Sequence, residues 1–121
     1  MHEISIAGGI IDIALDHAKK HNAESVKEVW LEVGELTSLN PDQLQFIFKN
    51  LTKNTVLEGA RFRIDMIKPI IECNQCSYHG GIKFFQALHY VLPVIHCPAC
   101  DSTDVEILQG RDCTIKNMVF N

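Results

Sequence analysis

Two Cys-x2-Cys pairs, Cys73-Asn74-Gln75-Cys76 and Cys97-Pro98-Ala99-Cys100, stand twenty residues apart and constrain this chain more than any other feature. Two residues between cysteines let both thiolates of one tight knuckle reach the same ion. Two such knuckles complete a tetrahedron at about 2.3 Å per Zn–S bond, and the intervening spacing suits structural zinc. Four thiolates leave no open coordination position, so a catalytic role for such a site is not expected. Two disulfides, a Cys-x2-Cys redox pair and a tetrathiolate iron site are the other readings of the same residues. A reducing compartment disfavours disulfides, and nothing here resembles a thioredoxin-like strand-helix context. Iron shares zinc's preference for tetrahedral sulfur and stays open. His79 and His96 flank the knuckles and His89 lies between them. With cysteine filling the coordination shell, these histidines read as exposed neighbours of the site. A sharper alternative has His79 and His96 replacing two thiolates as pH changes.

The compartment follows from what the chain lacks. There is no run of 18 or more apolar residues, and Met1-His2-Glu3-Ile4-Ser5 has neither the basic nor the apolar region of a secretory signal. A cytoplasmic protein without a membrane span is expected. At 121 residues and 46% hydrophobic content, the chain fits one domain, or a small domain carrying a still smaller one stabilised by metal. A net charge of −4, with no run of clustered Lys and Arg, argues against nucleic acid as a partner. Lys19-Lys20, with His17 and His21, falls where a first helix should end, and positive charge there complements the helix dipole.

Ile6, Ile10, Ile11, Ala14, Leu15 and Ala18 recur at helical spacing and predict an amphipathic helix from about Ser5 to about His21. Gly8 and Gly9 weaken its first turns. Residues 26–33 alternate as a strand, with Lys27, Val29, Leu31 and Val33 on one face, and Gly34-Glu35 breaks the pattern. Asn40-Pro41-Asp42 supplies an N-cap, a proline at the first helical position and an early acid. Leu44, Ile47, Phe48 and Leu51 then form a second helix's buried stripe. Phe62, Ile64 and Met66 alternate with Arg61, Arg63 and Asp65 in another strand, and Pro69 marks its end or a handover to different structure. Between residues 70 and 104 lie all four paired cysteines and three of the six histidines. Strand character returns at 105–108 and 114–120, the last able to rejoin the first sheet. The fold class expected is α+β: a small mixed sheet with two helices, formed by 1–69 and 105–121, plus an inserted zinc-ribbon-like domain over 70–104.

His2-Glu3 at the start, Val33-Gly34-Glu35-Leu36, Glu58-Gly59-Ala60 before a strand, the paired knuckles and Gly110-Arg111-Asp112 occur in an order that spans nearly the whole chain. In that order the chain resembles the HypA/HybF family of hydrogenase-maturation nickel chaperones. It departs from the family's pattern at Gly8-Gly9, where larger residues are commoner, and at Asp112-Cys113, where Glu and an aliphatic residue are expected. Neither departure touches the expected metal ligands. The resemblance implies a two-helix α/β nickel domain joined to a zinc domain by two linkers. It further implies His2 as principal nickel ligand and Glu3 as a backbone or partner-binding contributor. A hydrogenase-maturation GTPase and an immature [NiFe]-hydrogenase large subunit are the implied partners, with urease a further beneficiary.

His2 also has a chemistry of its own. An imidazole beside the free α-amine of Met1, with the amides of His2 and Glu3 able to lose protons to a polarising metal, offers nitrogen donors suited to tetragonal Ni(II) or Cu(II). His89 is the zinc-domain residue best placed in sequence to complete such a shell. The expected cofactor is structural Zn(II), with Ni(II) as transferable cargo, and the protein is not expected to be an enzyme. A zinc-ribbon adaptor for protein or nucleic acid, with His2 incidental, is the competing account. A hydrolase would need an open zinc site, which four cysteines do not provide. No phosphate-binding glycine loop or catalytic Ser-His-acid grouping is present. Cys113 reads as a small buried residue of the closing strand. A homodimer is compatible with the sequence.

Overall fold

The computed structural model describes residues 2–82 and 95–121, with His2 described through its backbone alone. Helix α1 spans His2–Lys20, starting three residues before the predicted Ser5. Gly8 and Gly9 lie inside it without breaking it, and Glu3 supplies the acid that a first turn favours. Its buried stripe is Ala7, Ile10, Ile11, Ala14 and Ala18, whereas Ile6 and Leu15 are half-buried. Small alanines on that stripe let α1 pack against α2, Pro41–Leu51. The cap of α2 follows the sequence signal. The Asn40 side chain accepts hydrogen bonds from the amides of Asp42 (2.9 Å) and Gln43 (3.1 Å), and Pro41 needs no partner for a missing N–H. Leu44 and Phe48 are fully buried, Ile47 is half-buried, and Leu51 is exposed, contrary to expectation. The helix stops at Leu51, and buried Thr52 turns its hydroxyl back to the Phe48 carbonyl at 2.7 Å.

Strands β1 (Val26–Gly34), β2 (Arg61–Ile67) and β6 (Cys113–Phe120) form a sheet in the order β2-β1-β6, so the closing strand does join the first sheet. On β1 the buried face is Val29, Leu31 and Val33. The alternation fails at the strand's start, where Val26 is buried and Lys27 exposed. A lysine head stays in water rather than lose its hydration. Phe62 of β2 stacks on Phe48 at a centroid distance of 4.4 Å, and the Gln45 side chain donates to the Phe62 carbonyl at 2.6 Å. Trp30 donates its indole N–H to Asp65 at 2.6 Å, with the Arg63 guanidinium 4.5 Å from its ring centroid. Among the described residues, no buried side-chain nitrogen or oxygen lacks a hydrogen-bond partner.

The chain divides into two compact units. The first comprises Met1–Glu32, Leu39–Asp65 and Thr114–Asn121 and contains both helices. The second comprises Val33–Ser38 and Met66–Cys113, which contain all four paired cysteines. Its own sheet has the order β4-β3-β5, built from β3 (Ile70–Cys73), β4 (His79–Gly81) and β5 (Val105–Gln109), with both pairings antiparallel. A bulge between Ile70 and Ile71 shifts the β3–β5 register. Residues 33–38 enter this unit through a close backbone approach. The Gly34 amide donates to the Asp112 carbonyl and the Leu36 amide to the Gly110 carbonyl, each at 2.8 Å. A β-carbon on Gly34 would collide with the Gly110 carbonyl and lie 2.7 Å from the Arg111 nitrogen. Gly110 adopts φ +97°, in the region reserved for glycine, and a β-carbon there would lie 2.6 Å from the Pro69 Cα.

Candidate metal centre

Strand β3 carries Cys73 to the end of the small sheet, and a turn over residues 74–76 brings Cys76 back beside it before β4 begins. The second knuckle repeats the first. The Gln75 amide points at the Cys73 sulfur and the Ala99 amide at the Cys97 sulfur, both at 3.4 Å. The Ser77 amide donates to the Cys73 carbonyl at 3.1 Å and the Asp101 amide to the Cys97 carbonyl at 2.8 Å. Ser77 and Asp101, each four residues after the leading cysteine, are left-handed at φ 62° and 65°. In both knuckles the leading cysteine is buried and the trailing one exposed.

The structure thus brings together all four cysteines singled out in the sequence. Their sulfurs lie within 4.8 Å of one another, with Cys73–Cys100 at 3.6 Å and Cys76–Cys97 at 3.5 Å. A tetrahedron with Zn–S bonds of about 2.3 Å has edges of about 3.8 Å, so the sulfur cage is of the right size for such an ion. The five cysteines are all free thiols. Among the described residues, the buried core around this site is Ile71, Cys73 and Cys97, with Tyr78, Ile82, Ile95, Val105 and Ile107 packed around them.

Crowding four thiols splits their acidities. Burial raises Cys97, but the amides of Cys100 and Ala99, with the Cys76 and Cys73 thiols as donors, outweigh it and bring its pKa down to about 7. The Tyr78 amide favours the Cys76 thiolate, yet burial and the neighbouring sulfurs of Cys97, Cys100 and Cys73 push it up to about 12. Cys100 is also raised: the lowering by the Ser102 amide is overcome by burial and by the Cys73 and Cys97 sulfurs. One thiolate forms readily, and full deprotonation of the set calls for a cation.

Sequence patterning missed Asp104. Its carboxylate accepts from the Asn74 and Gln75 side-chain amides at 3.0 Å each, which also hold its acidity below the usual carboxylate range, and its carbonyl accepts from the Asn74 amide. Both residues between Cys73 and Cys76 are thereby tied to the loop residue that precedes β5. No sequence spacing signals such a clamp.

The remaining candidates fall elsewhere. His79 lies on β4 opposite Glu72, and His96 places Nδ1 3.6 Å from the Asp101 carboxylate; both are exposed, and neither belongs to the four-sulfur group. Cys113 is half-buried at the start of β6, and burial pushes its thiol up. Glu3 is half-buried in the first turn of α1. Met1, the His2 side chain and His89 lie outside the described residues. Among the described residues, no helix is long and apolar enough to cross a membrane.

Comparison with known proteins covers the chain from end to end. The family described as "Hydrogenase/urease nickel incorporation, metallochaperone, hypA" matches residues 1–120. Hydrogenase maturation factor HypA of Methanothermobacter thermautotrophicus is 42% identical over 118 residues, covering 98% of this chain and 95% of that protein. Its counterpart in Methanobrevibacter smithii is 40% identical over 120 residues, covering 99% and 95%. The solution structure of the Ni metallochaperone HypA from Helicobacter pylori superposes with a TM-score of 0.70 at 26% identity, covering 99% of this chain and 97% of that one.

Proposed function

The chain belongs to the HypA family of nickel-incorporation metallochaperones, and from that premise we propose that it takes up Ni(II) at its N-terminus and delivers it to an immature [NiFe]-hydrogenase large subunit. The observation that carries this reading is the start of α1 at His2. The first four amides of an α-helix have no partner within it, and those of His2 and Glu3 are among them. Metal ligation through these two nitrogens therefore costs no helical hydrogen bond. The His2 imidazole is the principal ligand, with the Met1 amine and the Glu3 backbone completing a nitrogen-rich set suited to Ni(II). A site at a chain terminus is also reached easily by a receiving protein, which favours release.

In this reading Cys73, Cys76, Cys97 and Cys100 hold a resident Zn(II) whose closed coordination shell supplies stability and no catalysis. The zinc domain, expected over 70–104, extends in this reading through β5 to Gln109, and the two-helix unit handles nickel. The protein is a carrier in the cytoplasm, not an enzyme. It works with a hydrogenase-maturation GTPase, serves urease where that enzyme is present, and can do so as a homodimer. Calorimetric titration of the tag-free chain with Ni(II) tests the proposal. One equivalent is expected to bind, and binding is lost in His2→Ala and equally when residues are added before Met1. A native chain that binds no stoichiometric nickel would leave a zinc-ribbon adaptor instead. Elemental analysis should find one zinc per chain, lost in Cys97→Ser.

A further inference from the structure

A basic concavity opens on this acidic chain. An open cleft of about 780 Å³ in the first unit lies between α2 and β2. Lys49 and Lys53, spaced four residues apart at the end of α2 and just past it, line one wall. The edge of β2 from Arg61 to Ile64 forms the other, with the Arg61 and Arg63 side chains on the strand face opposite Phe62. Glu58 is the lone carboxylate in the lining, so the cleft carries a net charge of +3 within a chain of −4. Among the described residues, Lys49, Lys53 and Arg61 enter no ion pair. Arg63 is held in place, over the Trp30 ring and 3.6 Å from Asp65. The walls are tied by the Gln45 to Phe62 hydrogen bond and the Phe48–Phe62 stack. Phe46, 69% exposed, forms the cleft's apolar rim.

We infer that this cleft is a docking surface for a carboxylate-rich segment of a partner protein, one that also presents an apolar side chain to Phe46. Lys49, Lys53 and Arg61, which have no internal carboxylate partner among the described residues, repel one another, and an acidic partner relieves that repulsion. A peptide fits better than a phosphate. Lys49 and Lys53 sit at and just past the C-terminal end of α2, where no free amides converge to cradle a compact phosphate. Spaced cations beside an exposed aromatic ring match carboxylates spaced along a chain next to a hydrophobic anchor. Phe46 also borders a smaller concavity lined by Glu3, Ile4, Asp42 and Ile47. A segment seated in the basic cleft therefore lies next to the first turn of α1. The inference holds whether or not His2 binds nickel.

The test adds to the zinc-loaded, nickel-free full chain a short synthetic peptide in which glutamates flank one phenylalanine and one leucine, followed by amide NMR and calorimetry. Shifts are expected at Lys49, Gly59 and Arg61. Binding should weaken at least ~10-fold in Lys49→Glu/Arg61→Glu, survive in Lys49→Arg/Arg61→Lys, and fall steeply as salt rises from ~50 to ~500 mM. Unmoved amides at these positions would overturn the inference, as would equal binding of the peptide's glutamine analogue. Tighter binding of inorganic triphosphate or single-stranded DNA, or self-association abolished by the same charge reversal, would assign the cleft to another occupant.

Discussion

Replacing glycine by alanine should move stability in opposite directions at two places in this chain. At Gly34 the new methyl would meet backbone, which cannot rotate away. The Arg111 nitrogen would sit 2.7 Å from it, where ordinary contact begins at 3.4 Å, so the segments must part by about 0.7 Å, and further to clear the Gly110 carbonyl. That separation stretches the two 2.8 Å hydrogen bonds that join residues 34 and 36 to 112 and 110. Overpacking costs about 1–3 kcal/mol, and each weakened hydrogen bond adds about 0.5–1 kcal/mol. A loss of about 3 kcal/mol corresponds to a fall of about 10 °C in midpoint for a chain of this size. Gly8 and Gly9, inside α1, have no atom within 4 Å of a β-carbon's position. Alanine there removes unfolded-state entropy and should add about 0.5–1 kcal/mol per site. Thermal melts followed by circular dichroism, with zinc loading held equal, measure all three variants. Gly34→Ala melting within about 2 °C of wild type, or Gly8→Ala melting lower, would refute this account of which glycines are needed for space.

Metal uptake by the knuckles should strengthen with pH. Cys76, at about 12, and Cys100, also raised, hold their protons near neutrality, so ligation must displace at least those two, and Cys97, at about 7, adds a third below that pH. Zinc affinity measured by chelator competition should therefore fall at least about a hundredfold per pH unit on acidification. Stripping the metal at neutral pH should collapse the amide dispersion of residues 70–82 and 95–109 while α1 and α2 keep theirs, since four thiolate–metal bonds tie the two knuckles together and are lost with the ion. Asn40→Ala removes the oxygen that two amides of α2 share and should cost about 1 kcal/mol, read as a midpoint drop of a few degrees.

Local signals carried much of this fold. The Asn40-Pro41-Asp42 cap and the cysteine spacing each act within a few residues of chain and appear in the structure where the sequence put them, whereas the alternation along β2 holds only from Arg61 to Arg63, residues 64–67 all being half-buried. What escaped depends on the chain meeting itself. Nothing in the pattern around Gly34 announces Gly110, and a loop acid such as Asp104 gives no sign that it will grip Asn74 and Gln75. The basic cleft was hidden because its cations come in pairs from two elements, four apart on one and two apart on the other. Helix α1 began earlier than expected because two glycines lower helix propensity without forbidding helix, and packing of Ala7, Ile10 and Ile11 decides the outcome.

Trp30 is the chain's only tryptophan, and it sits in the first unit, bonded to Asp65 beneath Arg63. Its emission is therefore a built-in optical probe of that unit. Quenching or a spectral shift should register arrivals in the basic cleft without any label. Under chelation, an unchanged signal beside a changed far-ultraviolet spectrum would tell an experimenter which half of the molecule had come apart.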